Sequence, residues 1–205
     1  MYEIIYAKIP IYRYITNNNR RFFQHFSEKT YFCRRMEIKI KERNIVEAAG
    51  QGMDAFVDVF ANAILSAIGG ELNAETMPLL QADQITLLAY QIVRKEVMDG
   101  GFVQLIYNGY GPFIFLNPFA KAMRLWGAKD FQKLIYRGRE LYEKYADELT
   151  GDKTDEEFMA LFEQYPEFDD LDDEFITMES EVTELVAHYI DEHIGNFVVV
   201  EKDEE

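Results

Sequence analysis

Phe168-Asp169-Asp170-Leu171-Asp172-Asp173-Glu174-Phe175-Ile176-Thr177-Met178-Glu179-Ser180-Glu181-Val182-Thr183-Glu184-Leu185-Val186-Ala187-His188-Tyr189 decides how this chain folds. Its apolar residues Phe168, Leu171, Phe175, Met178, Val182, Leu185 and Tyr189 recur at alternating steps of three and four over six turns. That spacing lines one face of an α-helix and excludes a strand, whose period is two. The residues between the apolar ones are mostly acids. A helix over 169–193 spans roughly 37 Å at 1.5 Å per residue, and it carries ten acids with no Lys or Arg.

The same period extends toward the N-terminus. Met53, Phe56, Val57, Phe60, Ile64, Leu65 and Ile68 form a stripe that stops at Gly69-Gly70. Ile85, Leu88, Ala89, Ile92, Val93 and Val97 form another that runs into Gly100-Gly101, followed by a short helical piece from Phe102 to Tyr107. Asn117-Pro118 supplies a cap and a first-turn proline for a helix that buries Phe119, Ala122, Met123 and Trp126 and ends at Gly127. Phe131, Leu134, Ile135, Gly138, Leu141, Tyr142 and Tyr145 mark the next helix, and Thr154 with Glu157 a capping box. Gly195 closes the last helix. Phe197-Val198-Val199-Val200 is the one strand-like run, and it has no evident partner. The reading is an all-α, single compact multi-helix domain.

Composition bounds the function. The 205 residues are 48% hydrophobic with 16 Phe and 13 Tyr, too apolar for a disordered acidic chain. The formal charge is −16, unevenly distributed. Residues 1–35 hold seven bases against two acids, whereas 139–193 hold twenty acids against three bases, a net of −17. We divide the chain into a basic N-terminal arm, 1–35, and an acidic all-helical domain, 36–205. Charge sign and periodicity both change at Met36, which suggests a start there; the alternative is an arm folded back on the acidic surface. A single cysteine, Cys33, fits a reducing compartment. No run approaches the ~20 apolar residues of a membrane helix, and a cytoplasmic location is expected.

No catalytic constellation emerges, and neither a catalytic, a cofactor nor a metal site is expected. The run 169–174 lacks the glycine and twelve-residue pattern of a calcium loop. His188 and His193 are five apart, about 140° around a helix, where zinc pairs use i, i+4.

Glu96-Val97-Met98-Asp99-Gly100-Gly101-Phe102-Val103-Gln104-Leu105-Ile106-Tyr107-Asn108 resembles the E-x-x-N-G-G-F-x-Q…N signature of a bacterial family of unassigned function known for an acidic DNA-mimic protein, with Asp99 in place of the usual Asn. The block 168–175 is similar to that family's second motif, and the likeness covers roughly 46–194. The resemblance implies an all-helical fold and a surface imitating the phosphates of duplex DNA. Read from the residues alone, Gly100 and Gly101 end one helix in a left-handed turn, Phe102 packs into the core, and Gln104 and Asn108 tie down backbone groups of the following loop.

The expected partner is a basic DNA-binding protein, with no direct nucleic-acid or membrane binding, and the chain a monomer or homodimer. The expected contact face is Glu140, Glu143, Asp147, Glu148, Asp169, Asp170, Asp172, Asp173, Glu174, Glu181 and Glu184. Ten acids over 37 Å give one charge per roughly 3.7 Å, near the 3.4 Å of one DNA strand and about half the duplex density, so a second row must come from 139–157. The alternative is a structural or immunity-type interaction module that uses the Gly-Gly-Phe region, its acids serving solubility only. An enzyme ranks third.

Overall fold

The computed structural model describes residues 36–203; the expectations for the arm 1–35 and for Cys33 lie outside them. The order is β1 (Lys39–Lys41), α1 (Glu42–Gln51), α2 (Met53–Ala67), a 3-10 turn (Met77–Leu79), α3 (Ala82–Tyr107), α4 (Gly111–Phe115), α5 (Phe119–Leu125), α6 (Lys129–Leu149), α7 (Asp155–Gln164), a 3-10 turn (Pro166–Phe168), α8 (Asp169–Glu192), α9 (Ile194–Phe197) and β2 (Val199–Glu201).

Each apolar stripe becomes a buried face. Phe56, Val57, Phe60 and Ile64 of α2, Leu88, Val93 and Val97 of α3, Phe131, Leu134 and Ile135 of α6 and Leu171, Phe175, Val182 and Val186 of α8 all lie in the core. α3 and α8 form its centre: α8 packs on α2, α3, α6 and α9. A relay of rings runs through it, Tyr90 to Phe131 at 6.2 Å, Phe131 to Phe175 at 6.0 Å, Phe175 to Phe102 at 6.4 Å and Phe102 to Phe115 at 6.3 Å. These spacings fall within the favourable range for aromatic pairs. Polar groups that enter the core find partners: the Tyr90 hydroxyl bonds Thr183 Oγ1 at 2.6 Å, and Gln84 Nε2 donates to the Phe197 carbonyl at 2.6 Å. Among the described residues no buried side-chain polar atom lacks a partner.

Cap chemistry follows the expectations at α7, where Glu157 N–H donates to Thr154 Oγ1 and Thr154 N–H to the Glu157 carboxylate. At α5 the Asn117 carboxamide oxygen accepts from Phe119 N–H at 2.8 Å. Two expectations change at the C-terminal end. α8 stops at Glu192 and Gly195 sits inside the short α9, because His193 leaves the helical conformation (φ −131). The tail strand does have a partner: Val199–Glu201 pairs in parallel with Lys39–Lys41, in the register Lys39↔Val199, Ile40↔Val200, Lys41↔Glu201. Ile38 and Ile40 are buried while Lys39 and Lys41 are exposed, a short period-2 alternation that marks β1 as a half-buried strand.

Candidate protein-interaction face

The Gly-Gly-Phe block is a kink in α3. Gly100 and Gly101 break the helical conformation, and Gly101 takes φ +69, ψ −177, a region essentially closed to side-chain-bearing residues. A new helical half begins at Phe102, and its first free N–H is capped from another helix: Phe102 N–H donates to Asp172 Oδ1 of α8 at 2.8 Å. Gly101 is what lets that carboxylate approach, since a Cβ there would stand 2.2 Å from Asp172 Oδ2. Phe102 itself is fully buried.

Gln104 and Asn108 differ from expectation. They bond carboxylates across the kink instead of loop backbone. Gln104 Nε2 donates to Glu96 Oε2 at 3.2 Å and Asp99 Oδ2 at 2.9 Å, and Asn108 Nδ2 donates to Glu96 Oε2 at 2.7 Å. Glu96, which carries no expected site role in the sequence, is buried at 8% exposure and accepts from both amides. Its signal was the E…Q…N spacing of the motif.

The candidate acids divide by environment. Asp169, Asp170, Asp173, Glu181 and Glu184 of α8 are exposed, as are Glu140, Glu143, Asp147 and Glu148 of α6. Asp172 turns inward to the kink; its desolvation, opposed by the Phe102 N–H bond and reinforced by Asp169 and Asp173, pushes its carboxyl from 3.8 up to about 6. Glu174 pairs with Arg137 of α6, Glu143 with Arg139 at 2.7 Å, and Glu179 with Arg94 of α3. Seven α8 acids remain with no Lys or Arg partner among the described residues: Asp169, Asp170, Asp173, Glu181, Glu184, Asp191 and Glu192. Over 24 residues, roughly 36 Å, that is one charge per about 5 Å, sparser than one DNA strand. The second row is therefore needed. α6 packs directly against α8, and the Arg137–Glu174 pair joins them at the surface. Acids of α7, Asp155, Glu156, Glu157 and Glu163, are also exposed.

Helix electrostatics sort these charges further. Asp169, Asp170 and Asp172 lie in the first turn of α8, and Asp155, Glu156 and Glu157 in that of α7, where negative charge stabilises a helix. Asp147 and Glu148 end α6, and Asp191 and Glu192 end α8, with no basic residue in either last turn. There each carboxylate opposes the helix dipole, at a cost of about 0.3–1 kcal/mol. Helix formation explains the first group and works against the second.

The histidines are held separately: His188 stands 3.7 Å from Glu184, and His193 Nδ1 contacts the Tyr189 carbonyl at 2.9 Å while its ring stacks on Tyr189. Among the described residues no helix is long and apolar enough to cross a membrane.

Comparison with known proteins meets this geometry at the same residues. Over 124 residues, 60% of this chain and 75% of the other, the chain is 33% identical to DNA mimic protein DMP19 of Neisseria meningitidis serogroup B (strain ATCC BAA-335 / MC58). A family model described as DMP19-like protein matches residues 79–193, from the turn before α3 to the end of α8, and so takes in the kink, its Asp172 cap and most of the acidic surface. The chain belongs to the DMP19-like protein family.

Proposed function

We propose that this chain acts as a DNA mimic without enzymatic activity: the exposed carboxylates of α6, α7 and α8 bind the DNA-contacting surface of a basic DNA-binding protein, such as a transcription factor or nucleoid protein, and keep it from DNA. The observation that carries the reading is the set of acids on α8 and α6 that have no Lys or Arg partner among the described residues, including Asp147, Glu148, Asp191 and Glu192 at helix ends where they cost stability. Charge retained against local stability is charge kept for another purpose. The likeness to a protein named as a DNA mimic supports the same assignment. The contact face comprises Glu140, Glu143, Asp147, Glu148, Asp169, Asp170, Asp173, Glu181 and Glu184. Asp172 serves the fold. The Gly-Gly-Phe block makes internal contacts, which favours the acids over that block as the contact surface.

The test is capture from a cell lysate at low salt by the wild type and by the triple variant Asp173→Lys, Glu181→Lys, Glu184→Lys. The wild type should retain a DNA-binding protein that rising salt elutes and that added duplex DNA displaces, because both compete for cationic side chains. The triple variant should retain none. A retained protein that duplex DNA does not displace would refute the assignment.

A further inference from the structure

The described residues begin where the acidic helix α8 ends. Met36 N–H donates to the Leu79 carbonyl at 3.3 Å. Leu79 leads into Asp83, whose carboxylate accepts from the Tyr189 hydroxyl of α8 at 3.4 Å and from Asn196 Nδ2 of α9 at 2.7 Å. Two residues after Met36, the Ile38 carbonyl accepts from Val199 N–H at 2.7 Å, just beyond α9. Both contacts set Met36 beside the C-terminal end of α8. The basic arm, 1–35, joins the fold at that point, and its last two residues are Arg34 and Arg35.

That end of α8 is short of cations. Asp191 and Glu192 are exposed there, no basic residue stands in the last turn, and neither acid pairs with Lys or Arg among the described residues. Lys39 of the adjoining sheet is already held by Glu201 at 2.9 Å and Glu37 at 3.7 Å. Lys41 and Lys202, also exposed, form no ion pair with the α8 acids. A helix C-terminus favours positive charge, and the covalent chain delivers two arginines to this one.

Charge and length extend the match. The arm holds seven bases and two acids, a net of +5, which leaves −21 for residues 36–205. α8 is roughly 36 Å long, a distance that about eleven residues can span at ~3.4 Å each. Thirty-five residues therefore reach every acid of α8 and those of α6 packed against it.

We propose that the arm docks on the acidic face of its own chain, entering at Asp191 and Glu192, and competes with the partner for the same carboxylates. The inference rests on the DNA-mimic reading above and adds its regulation. A change of charge sign at Met36 is what a segment complementary to the rest of the chain requires. A bare surface of this charge would take any cationic chain, whereas a tethered competitor sets a threshold. Only a groove that engages many carboxylates at once displaces it. With an intrinsic affinity of about 0.1 mM, the weak end of non-specific phosphate binding, and an effective concentration of about 1 mM, the arm weakens a competitor about tenfold.

A short Arg/Lys-rich peptide is titrated by fluorescence anisotropy against the full chain and its Arg20→Gln/Arg21→Gln/Arg34→Gln/Arg35→Gln variant. At low salt the variant should bind the peptide about tenfold more tightly, and the difference should close as salt rises. Carbodiimide coupling, which joins amines to carboxylates at ion-pair distance, should link Lys8 or Lys29 to acids of α8 or α6 within one molecule in a mixture of isotopically light and heavy protein. Equal peptide binding by the two proteins overturns the docked arm while the acidic face stands. Failure of both proteins to bind the peptide at low salt refutes the acidic face and the arm's contact with it. Links that form only between copies, or none to α8 and α6, overturn the proposal. Duplex DNA bound by the full chain and lost in the variant would assign the arm to nucleic acid instead. A native protein whose first residue is Met36 by mass spectrometry also overturns it.

Discussion

Replacing Gly101 by Ala tests the structural logic of the kink. The substitution forces a side-chain-bearing residue into φ +69, ψ −177, which costs about 1–3 kcal/mol. The new Cβ would stand 2.2 Å from Asp172 Oδ2, so the carboxylate must retreat and release the Phe102 N–H. Losing a helix cap costs about 0.5–2 kcal/mol. Together the expected loss is about 3 kcal/mol, or a fall in Tm of roughly 6–12 °C for a chain of this size. The control is the same substitution in an Asp172→Ala background, where neither clash nor cap remains. There Gly101→Ala should cost only the backbone strain, leaving a coupling energy of about 1 kcal/mol between the two positions. Urea unfolding of the four proteins followed by circular dichroism measures both quantities. A wild-type midpoint for Gly101→Ala, or an equal cost in both backgrounds, would refute the account.

Asp172 and Glu96 make separable predictions. With its carboxyl raised from 3.8 to about 6, Asp172 is held more readily as the neutral acid in the folded state than in the unfolded chain. Its charge therefore destabilises the fold fully above about pH 6, and the penalty fades as pH falls toward 4. Asp172→Asn keeps an acceptor for Phe102 N–H and should exceed the wild type in stability at pH 7.5 by about 1 kcal/mol, after allowance for solvent screening of a half-buried group. That advantage should vanish near pH 4; thermal melts across the range decide it, and a gap independent of pH would contradict the assignment. Glu96→Ala removes the shared acceptor of Gln104 and Asn108 and should cost about 2 kcal/mol, with faster amide exchange in the second half of α3. Unchanged exchange there would show that the cluster does not hold the kink.

What the sequence revealed followed from periodicity. The stripe from Met53 to Ile68 became α2, ending at Ala67, and the stripe from Phe168 to Tyr189 became α8. Periodicity is a property of one element, so it fails where two elements meet. Asp172 follows Leu171 at the margin of the apolar stripe, and nothing within α8 says that α3 covers that margin while leaving Asp173 in water. Glu96 sits likewise between Val93 and Val97, and its burial depends on amides eight and twelve residues further on, across a break in the helix. The acidic surface was legible as a total charge. Its partition into capping, paired and uncompensated carboxylates was not, since Arg94 and Arg137 reach α8 from helices distant in sequence. β1 was missed because its alternation, Ile38 and Ile40 against Lys39 and Lys41, lasts only a few residues and its partner lies some 160 positions away.

That last separation has a consequence for biosynthesis. About 160 residues separate Lys39–Lys41 from Val199–Glu201, so the ribosome makes the first strand well before the second. At 5–20 residues per second the first strand waits on the order of ten to thirty seconds for its complement. Until then Ile38 and Ile40 lack the strand that pairs with β1 in the finished fold, and unpaired strand segments are templates for aggregation. The lysines that alternate with them, Lys39 and Lys41, keep such an edge soluble until translation delivers its mate.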